Sequence, residues 1–157
     1  MLKYLAIFFV SMVPLIELRG AVPIAIGYFE IDFFPALVIC VVGNILPVPV
    51  IYFFARKFLL WGQDKRWIGR LCRYFVVKGE LYGKKLVNKT GRGGLFLALL
   101  LFVGIPIPGT GAWTGTLAAS FLDMGFKSTT AAVSLGVVMA GIIMAITSSG
   151  VLAVLGF

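Results

Sequence analysis

Residues 11–23 read SMVPLIELRGAVP, and residues 104–115 read GIPIPGTGAWTG. Each stretch lies inside an apolar part of the chain and carries proline and glycine where a membrane-spanning helix would be regular. Paired interruptions of this kind in the two halves of a membrane chain indicate a binding site near the middle of the bilayer. We refer to residues 11–23 as the first break and to residues 104–115 as the second break.

The composition is that of an integral membrane protein. The 157 residues are 61% hydrophobic, and the mean hydropathy of +1.06 exceeds that of ordinary soluble domains. The length predicts a single membrane domain, residues 1–157, without a sizeable soluble domain. The chain has no histidine, which removes the commonest general base and the commonest metal ligand. We therefore expect no catalytic residue, no metal site, no cofactor and no enzymatic activity.

The positive charge is concentrated in one segment. Residues 56–92 hold eleven of the fourteen Lys and Arg residues and only two acidic residues. Between apolar segments this density follows the positive-inside rule, so residues 59–92 are expected in the cytoplasm or at the membrane surface, with no nucleic-acid partner. Basic amphipathic helices are predicted there, either as an anchor or with a preference for anionic lipid. Five glycines are expected to divide the segment into short pieces: Gly79, Gly83, Gly91, Gly93 and Gly94.

The apolar runs beside the breaks are too short to span a bilayer. Residues 2–13 would cover about 18 Å as a helix, against a hydrocarbon core of about 30 Å. Non-helical backbone at this depth requires protein or water around it. We therefore predict two re-entrant helical hairpins, at 2–29 and 94–122, each followed by a transmembrane helix, at 33–55 and 128–155.

A shift of 91 residues aligns the two halves, 1–58 and 93–157. Gly20 then falls on Gly111 and Asp32 on Asp123. Because each half contains one full crossing, the second half must sit upside down relative to the first, and the hairpins meet from opposite faces. The predicted fold is an all-α integral membrane inverted repeat, with cytoplasmic amphipathic helices between the repeats.

The predicted location is a cytoplasmic membrane of the prokaryotic type. In the hairpin arrangement the N-terminus lies outside the cytoplasm. Four plain transmembrane helices are the alternative, and they would place the N-terminus on the same side as residues 59–92.

Glu17 and Arg19 are the main candidates for function. A charge at the middle of the bilayer costs about 2.5–3.5 kcal/mol on insertion scales, so its presence there needs a compensating interaction. Arg19, together with the free N–H groups at the start of a half-helix, is expected to hold an anion. Glu17 is expected to carry a proton. The alternative is a structural ion pair that staples the first hairpin.

The remaining candidates come mostly from the same two breaks. Glycines there let a ligand approach the backbone closely, and two threonines offer neutral hydrogen bonds. The full candidate site is Glu17, Arg19, Gly20, Pro23, Pro106, Pro108, Gly109, Thr110, Gly111 and Thr114. Secondary candidates are Asn44, Asp32, Asp123 and Trp113, of which the two aspartates are expected as helix N-caps and Trp113 as an interfacial or packing residue.

The two motifs, P-x-x-E-L-R-G-A-x-P at 14–23 and G-x-P-x-P-G-T-G-A-W at 104–113, resemble those of the small multi-drug export protein family. This resemblance covers essentially the whole chain. More distantly, the layout is similar to the DedA (VTT-domain) superfamily of opposed re-entrant hairpins, whose members are implicated in moving lipids, including polyprenyl phosphates. Its first hairpin carries an acidic residue, which Glu17 matches. Its second carries an Arg-Phe-x-Pro-like element and a further arginine, whereas residues 101–104 hold none, and Arg19 would take that role.

Three functions follow as expectations. The first is a proton-coupled transporter, or lipid flippase, that translocates an anionic lipid or a polyprenyl-phosphate head group. The second is an exporter of small cationic or multidrug compounds, with Glu17 as the binding and proton-exchange residue. The third is a non-transporting membrane scaffold. The expected partners are a membrane lipid or another amphiphilic substrate and, as an open alternative, a second copy in a homodimer. The small residues Ala132, Gly136 and Ala140 would serve the dimer interface or the contact between repeats.

Overall fold

The computed structural model describes residues 1–14, 16–65, 69–107 and 109–155, and all regular structure in them is helical. This confirms the all-α prediction. The helices are α1 (Leu2–Met12), α2 (Glu17–Pro23, continued by a π-helical stretch at Ile24–Tyr28), α3 (Phe33–Ile45), α4 (Val48–Gly62), α5 (Gly69–Gly104), α6 (Ala112–Phe121) and α7 (Phe126–Leu155).

The first segment folds back on itself at the first break. Pro14 disfavours helical backbone in the residue before it, and Val13 is accordingly extended, with φ −72° and ψ 129°. Beyond the break the chain resumes as α2. The Lys3 ammonium donates to the carbonyl of Phe29 at 3.2 Å, so the two ends farthest from the break lie together. The arms of this segment are therefore antiparallel.

The second segment has the same form, but it is preceded in α5 by a further helix, which meets it at a kink at Gly91. In α5 only Gly91 leaves helical geometry, with φ 71° and ψ 171°. Gly91 therefore divides this segment as expected, whereas the chain stays helical at Gly79, Gly83, Gly93 and Gly94, because a helix tolerates glycine at a cost of about 1 kcal/mol each. After Gly104 the chain breaks and returns as α6, where a Cβ at Gly115 would overlap Val103 of α5. The last turns of α5 thus pack against α6.

Two helical stretches are long and apolar enough to cross a membrane, Phe33–Gly62 and Phe126–Gly150. The first extends beyond the predicted range of 33–55 and is interrupted between α3 and α4, at Leu46 and Pro47. The second begins two residues before the predicted start at residue 128.

Each long stretch begins three residues after an acidic residue with left-handed backbone. Glu30 precedes Phe33 and has φ 49°, while Asp123 precedes Phe126 and has φ 54°. Asp32 does occupy the N-cap position of α3, although its side chain makes no capping hydrogen bond. Asp123 lies three residues before Phe126, the first residue of α7, and its capping role stays a prediction.

Helix α7 is packed from both sides by the two folded-back segments. A Cβ at Gly136 would overlap the Leu100 carbonyl and Val103 of α5, and one at Gly141 would lie only 3.2 Å from Leu18 of α2. Ala132 and Ala140 are also buried, at 0% and 3% exposure. The small-residue stripe therefore packs within the chain, and Gly136 contacts the broken segment of its own half. A homodimer stays a prediction.

Replacing Gly136 by valine should lower the free energy of unfolding by about 2 kcal/mol, because the new side chain meets backbone and a β-branched neighbour that cannot yield. Gly150→Val in the same helix is the matched control, since nothing lies within 4 Å of a Cβ there. Detergent-induced unfolding followed by circular dichroism measures both variants. Equal midpoints for the two would contradict this packing.

Candidate functional site

The two breaks lie against each other, joined first by Arg19. Its Nη2 donates to the carbonyls of Val103 and Ile105, each at 3.2 Å, and to the Thr110 hydroxyl at 2.8 Å. Val103 and Ile105 lie where α5 ends, and the last carbonyls of a helix have no partner within it. A cation is also favoured at this end of the helix dipole. Arg19 therefore caps the C-terminus of α5 from the other half of the chain.

Glu17 makes the complementary contact with the start of α6. Its Oε1 accepts a hydrogen bond from the backbone N–H of Trp113 at 3.2 Å, and a Cβ at Gly111 would overlap both carboxylate oxygens. The first N–H groups of a helix are unpaired and attract negative charge. With only 7% of its surface exposed, Glu17 occupies the N-terminus of α6.

Trp113 adds a third link between the breaks. Its indole N–H donates to the carbonyl of Met12, the last residue of α1, at 3.1 Å. The side chain predicted as interfacial or packing thus joins the two halves directly. Its backbone amide meanwhile serves Glu17.

Glu17 and Arg19 of the first break form hydrogen bonds with backbone groups that lack helical partners at the second break. Their hydrogen bonds run between the segments, so they staple the two halves together, whereas the ion-pair alternative had them staple the first hairpin alone. Glu17 holds this position with φ 49°, a left-handed conformation that is uncommon for a residue other than glycine. Such strain is retained where the surroundings fix it, often at functional sites.

A cavity of about 590 Å³ lies between the breaks. Seven of the predicted site residues line it: Glu17, Arg19, Gly20, Pro106, Gly109, Thr110 and Thr114. Pro14, Ile16 and Met144 complete the wall and were not predicted as site residues. Pro23 and Gly111 do not line the cavity, and Pro108 is outside the described residues.

Three secondary candidates lie away from this cavity. Asp32 and Asp123 belong to the turns before the long helices, as described above. Asn44 is buried, and its Oδ1 has no hydrogen-bond partner among the described residues.

Contacts within the protein occupy several of the groups expected to hold an anion. The N-terminus of α6 is already occupied by the Glu17 carboxylate, and Arg19 Nη2 is shared by three oxygens. Arg19 Nε is buried without a hydrogen-bond partner among the described residues, and the Thr110 hydroxyl donates to the Ile107 carbonyl at 2.9 Å. The N-terminus of α6, Arg19 Nη2 and the Thr110 hydroxyl are therefore engaged by the protein itself. Within the described part of the chain, no cluster of His, Cys, Asp or Glu could hold a metal ion.

Comparison with known proteins gives one match. The family described as "putative small multi-drug export protein" matches residues 17–143, whereas no curated protein and no solved structure matches. The matched range begins at Glu17 and includes the second break. The more distant similarity to the DedA superfamily stays a prediction. Because the match covers most of its length, the chain belongs to the small multi-drug export protein family.

Proposed function

We propose that this chain exports small amphiphilic cations, which bind in the cavity between the two breaks. The observation that carries the proposal is the charge distribution on the cavity wall. The wall offers one carboxylate, from Glu17, beside the apolar groups of Pro14, Ile16 and Met144. The one guanidinium, from Arg19, already donates through Nη2 to three neutral oxygen acceptors of the protein. Such a site favours an organic cation over an anion.

Proton exchange at Glu17 would couple this binding to a proton gradient. A carboxylate that holds a cation loses that attraction when it takes up a proton, so the cation and the proton compete for one group. Proton uptake would also weaken the contact of Glu17 with the start of α6, because the helix dipole favours the charged form. Release of the cation and loosening of the contact between the halves are thereby linked.

We propose further that the two folded-back segments are re-entrant hairpins of an inverted repeat. The antiparallel arms and the left-handed acidic residue before each long helix support this arrangement. So does the hydrogen bond between Arg19 and Thr110, because these residues are 91 positions apart, which is the shift that aligns the two halves. Residues related by a pseudo-two-fold axis meet where they lie close to that axis.

Labelling of single cysteines tests this topology. In a background without Cys40 and Cys72, Lys3→Cys and Lys89→Cys should react with a membrane-impermeant maleimide from opposite sides of the membrane. Intact cells and inverted vesicles provide the two orientations. Reaction of both cysteines from the same side would support four plain crossings and overturn the hairpin arrangement.

Binding of two ions of matched shape tests the function. Tetraphenylphosphonium, a cation, should bind saturably to the purified chain in detergent, and tetraphenylborate, its anionic counterpart, should bind more weakly. Glu17→Gln should lower the affinity for the cation about tenfold, because a full charge is replaced by a neutral acceptor of the same shape. Isothermal titration or equilibrium dialysis gives both affinities.

Glu30→Gln is the matched control, since Glu30 also has left-handed backbone but is exposed and outside the cavity. It should leave the cation affinity unchanged. Saturable binding of a polyprenyl phosphate that is lost in Arg19→Ala would overturn the cation proposal in favour of the lipid hypothesis. Absence of binding for every ligand, in a folded protein, would favour the scaffold.

A further inference from the structure

A second pocket, of about 820 Å³, lies where α4 ends and α5 begins. It shares no residue with the cavity between the breaks. Its wall carries three cations, Lys65, Arg70 and Arg73, and one carboxylate, Asp64. Among the described residues the lining therefore has a formal charge of 3 − 1 = +2, which fits an anion.

The two arginines supply the kind of donor that phosphate requires. Arg73 Nη2 donates to the Gln63 carbonyl at 3.3 Å, which fixes the side chain and leaves its other N–H groups available. Arg70 is exposed beside it. Guanidinium groups bind phosphate oxygens through paired, charge-assisted hydrogen bonds. Two of them on one wall favour a phosphate over a single carboxylate.

A stripe of aromatic side chains leads along α4 to this pocket. Phe54, Phe58 and Trp61 are exposed by 68%, 46% and 55%, and consecutive rings in the stripe lie 6.2 Å apart. Their spacing of four and three residues puts them on one helix face. At its end the Lys65 ammonium sits 4.5 Å from the centroid of the Trp61 ring. An apolar path thus runs directly into a cationic pocket.

We propose that this pocket binds the head group of an anionic phospholipid, with the phosphate on Arg70 and Arg73 and an acyl chain along the aromatic stripe. The argument is charge complementarity combined with position. Anionic head groups lie beside the apolar part of a membrane, and the stripe belongs to a helix stretch apolar enough to cross one. A soluble phosphate would use the arginines but leave Phe54 and Phe58 without a partner. The proposal does not depend on the export function.

Quenching of tryptophan fluorescence by brominated lipids tests the proposal on the full chain in mixed vesicles. Brominated phosphatidylglycerol should compete for the site better than brominated phosphatidylcholine. The double variant Arg70→Gln/Arg73→Gln should lower this preference about five- to tenfold, since each surface cation contributes to attraction of anionic lipid. Arg70→Gln alone should give an intermediate loss, which keeps the test open if the double variant fails to fold.

The control Lys89→Gln/Arg92→Gln removes the same charge from exposed positions outside the pocket and should change the preference less than twofold. Equal losses in both double variants would show diffuse attraction and overturn the pocket. Complete displacement of phosphatidylglycerol by millimolar inorganic phosphate would overturn it too, because the stripe would then contribute nothing. Unchanged binding of tetraphenylphosphonium in the pocket variants separates this outcome from failure of the export site.

Discussion

Replacing Arg19 by leucine should lower the free energy of unfolding by about 3 kcal/mol. Leucine fills much of the same space, so the loss comes mainly from the hydrogen bonds to Val103, Ile105 and Thr110. Bonds from a charged donor contribute about 1.5–3 kcal/mol, and the Val103 carbonyl near the end of α5 would lose its partner from the first break. The measurement is the midpoint of unfolding as SDS is added to mixed micelles. Its shift is read from the loss of helical circular dichroism.

Two variants distinguish the capping role of Arg19 from a general effect of charge. Arg19→Lys keeps the cation but not the planar fork, so it should recover about half of the lost stability. Arg92→Leu removes an exposed arginine and should change stability by less than about 0.5 kcal/mol. If Arg19→Leu matches the unchanged protein, the guanidinium does not hold the second break. If Arg92→Leu lowers the free energy of unfolding as much as Arg19→Leu, the loss in Arg19→Leu does not come from its contacts at the cavity.

The sequence predicted the breaks and their charged residues because a few neighbouring residues determine each of them. Pro14 forbids regular helix before it, and Glu17 and Arg19 stand out in an apolar chain. The partners of those charges were not predictable in the same way. Arg19 is held largely by the carbonyls of Val103 and Ile105, and every residue has a carbonyl. Which carbonyls Arg19 reaches depends on how the two breaks pack against each other in three dimensions.

The same reasoning explains why the partner of the α6 N-terminus was not predicted. A half-helix that begins inside an apolar segment does expose N–H groups, and the inference that they attract an anion was sound. The anion is Glu17, which comes from 96 residues earlier in the chain. Met144 was missed for a related reason, since α7 is apolar on most faces and its sequence does not show which face lines the cavity. The local sequence therefore predicted which charged groups lie at the breaks, whereas their hydrogen-bond partners depend on tertiary packing.

Replacing Gly111 by alanine should be as damaging as the loss of Arg19, at about 2–4 kcal/mol. The backbone of Gly111 is extended, with φ 178°, so alanine introduces no backbone strain. Its Cβ would instead overlap the Glu17 carboxylate, which must leave the start of α6 and give up its bond to Trp113. We expect a lowered unfolding midpoint and an affinity for tetraphenylphosphonium reduced about as much as in Glu17→Gln.

Gly109→Ala is the informative comparison, because Gly109 has φ 85° but nothing within 4 Å of its Cβ. Backbone strain alone should cost about 1–2 kcal/mol there, less than the overlap at Gly111. A double-mutant cycle then assigns the cause. In Glu17→Ala the space beside Gly111 is empty, so adding Gly111→Ala should cost little more, with a coupling of about 2 kcal/mol between the two positions. If the losses of stability in the two single variants are additive, the cost of Gly111→Ala comes from a neighbour other than Glu17. The Glu17 carboxylate would then not depend on the space beside Gly111.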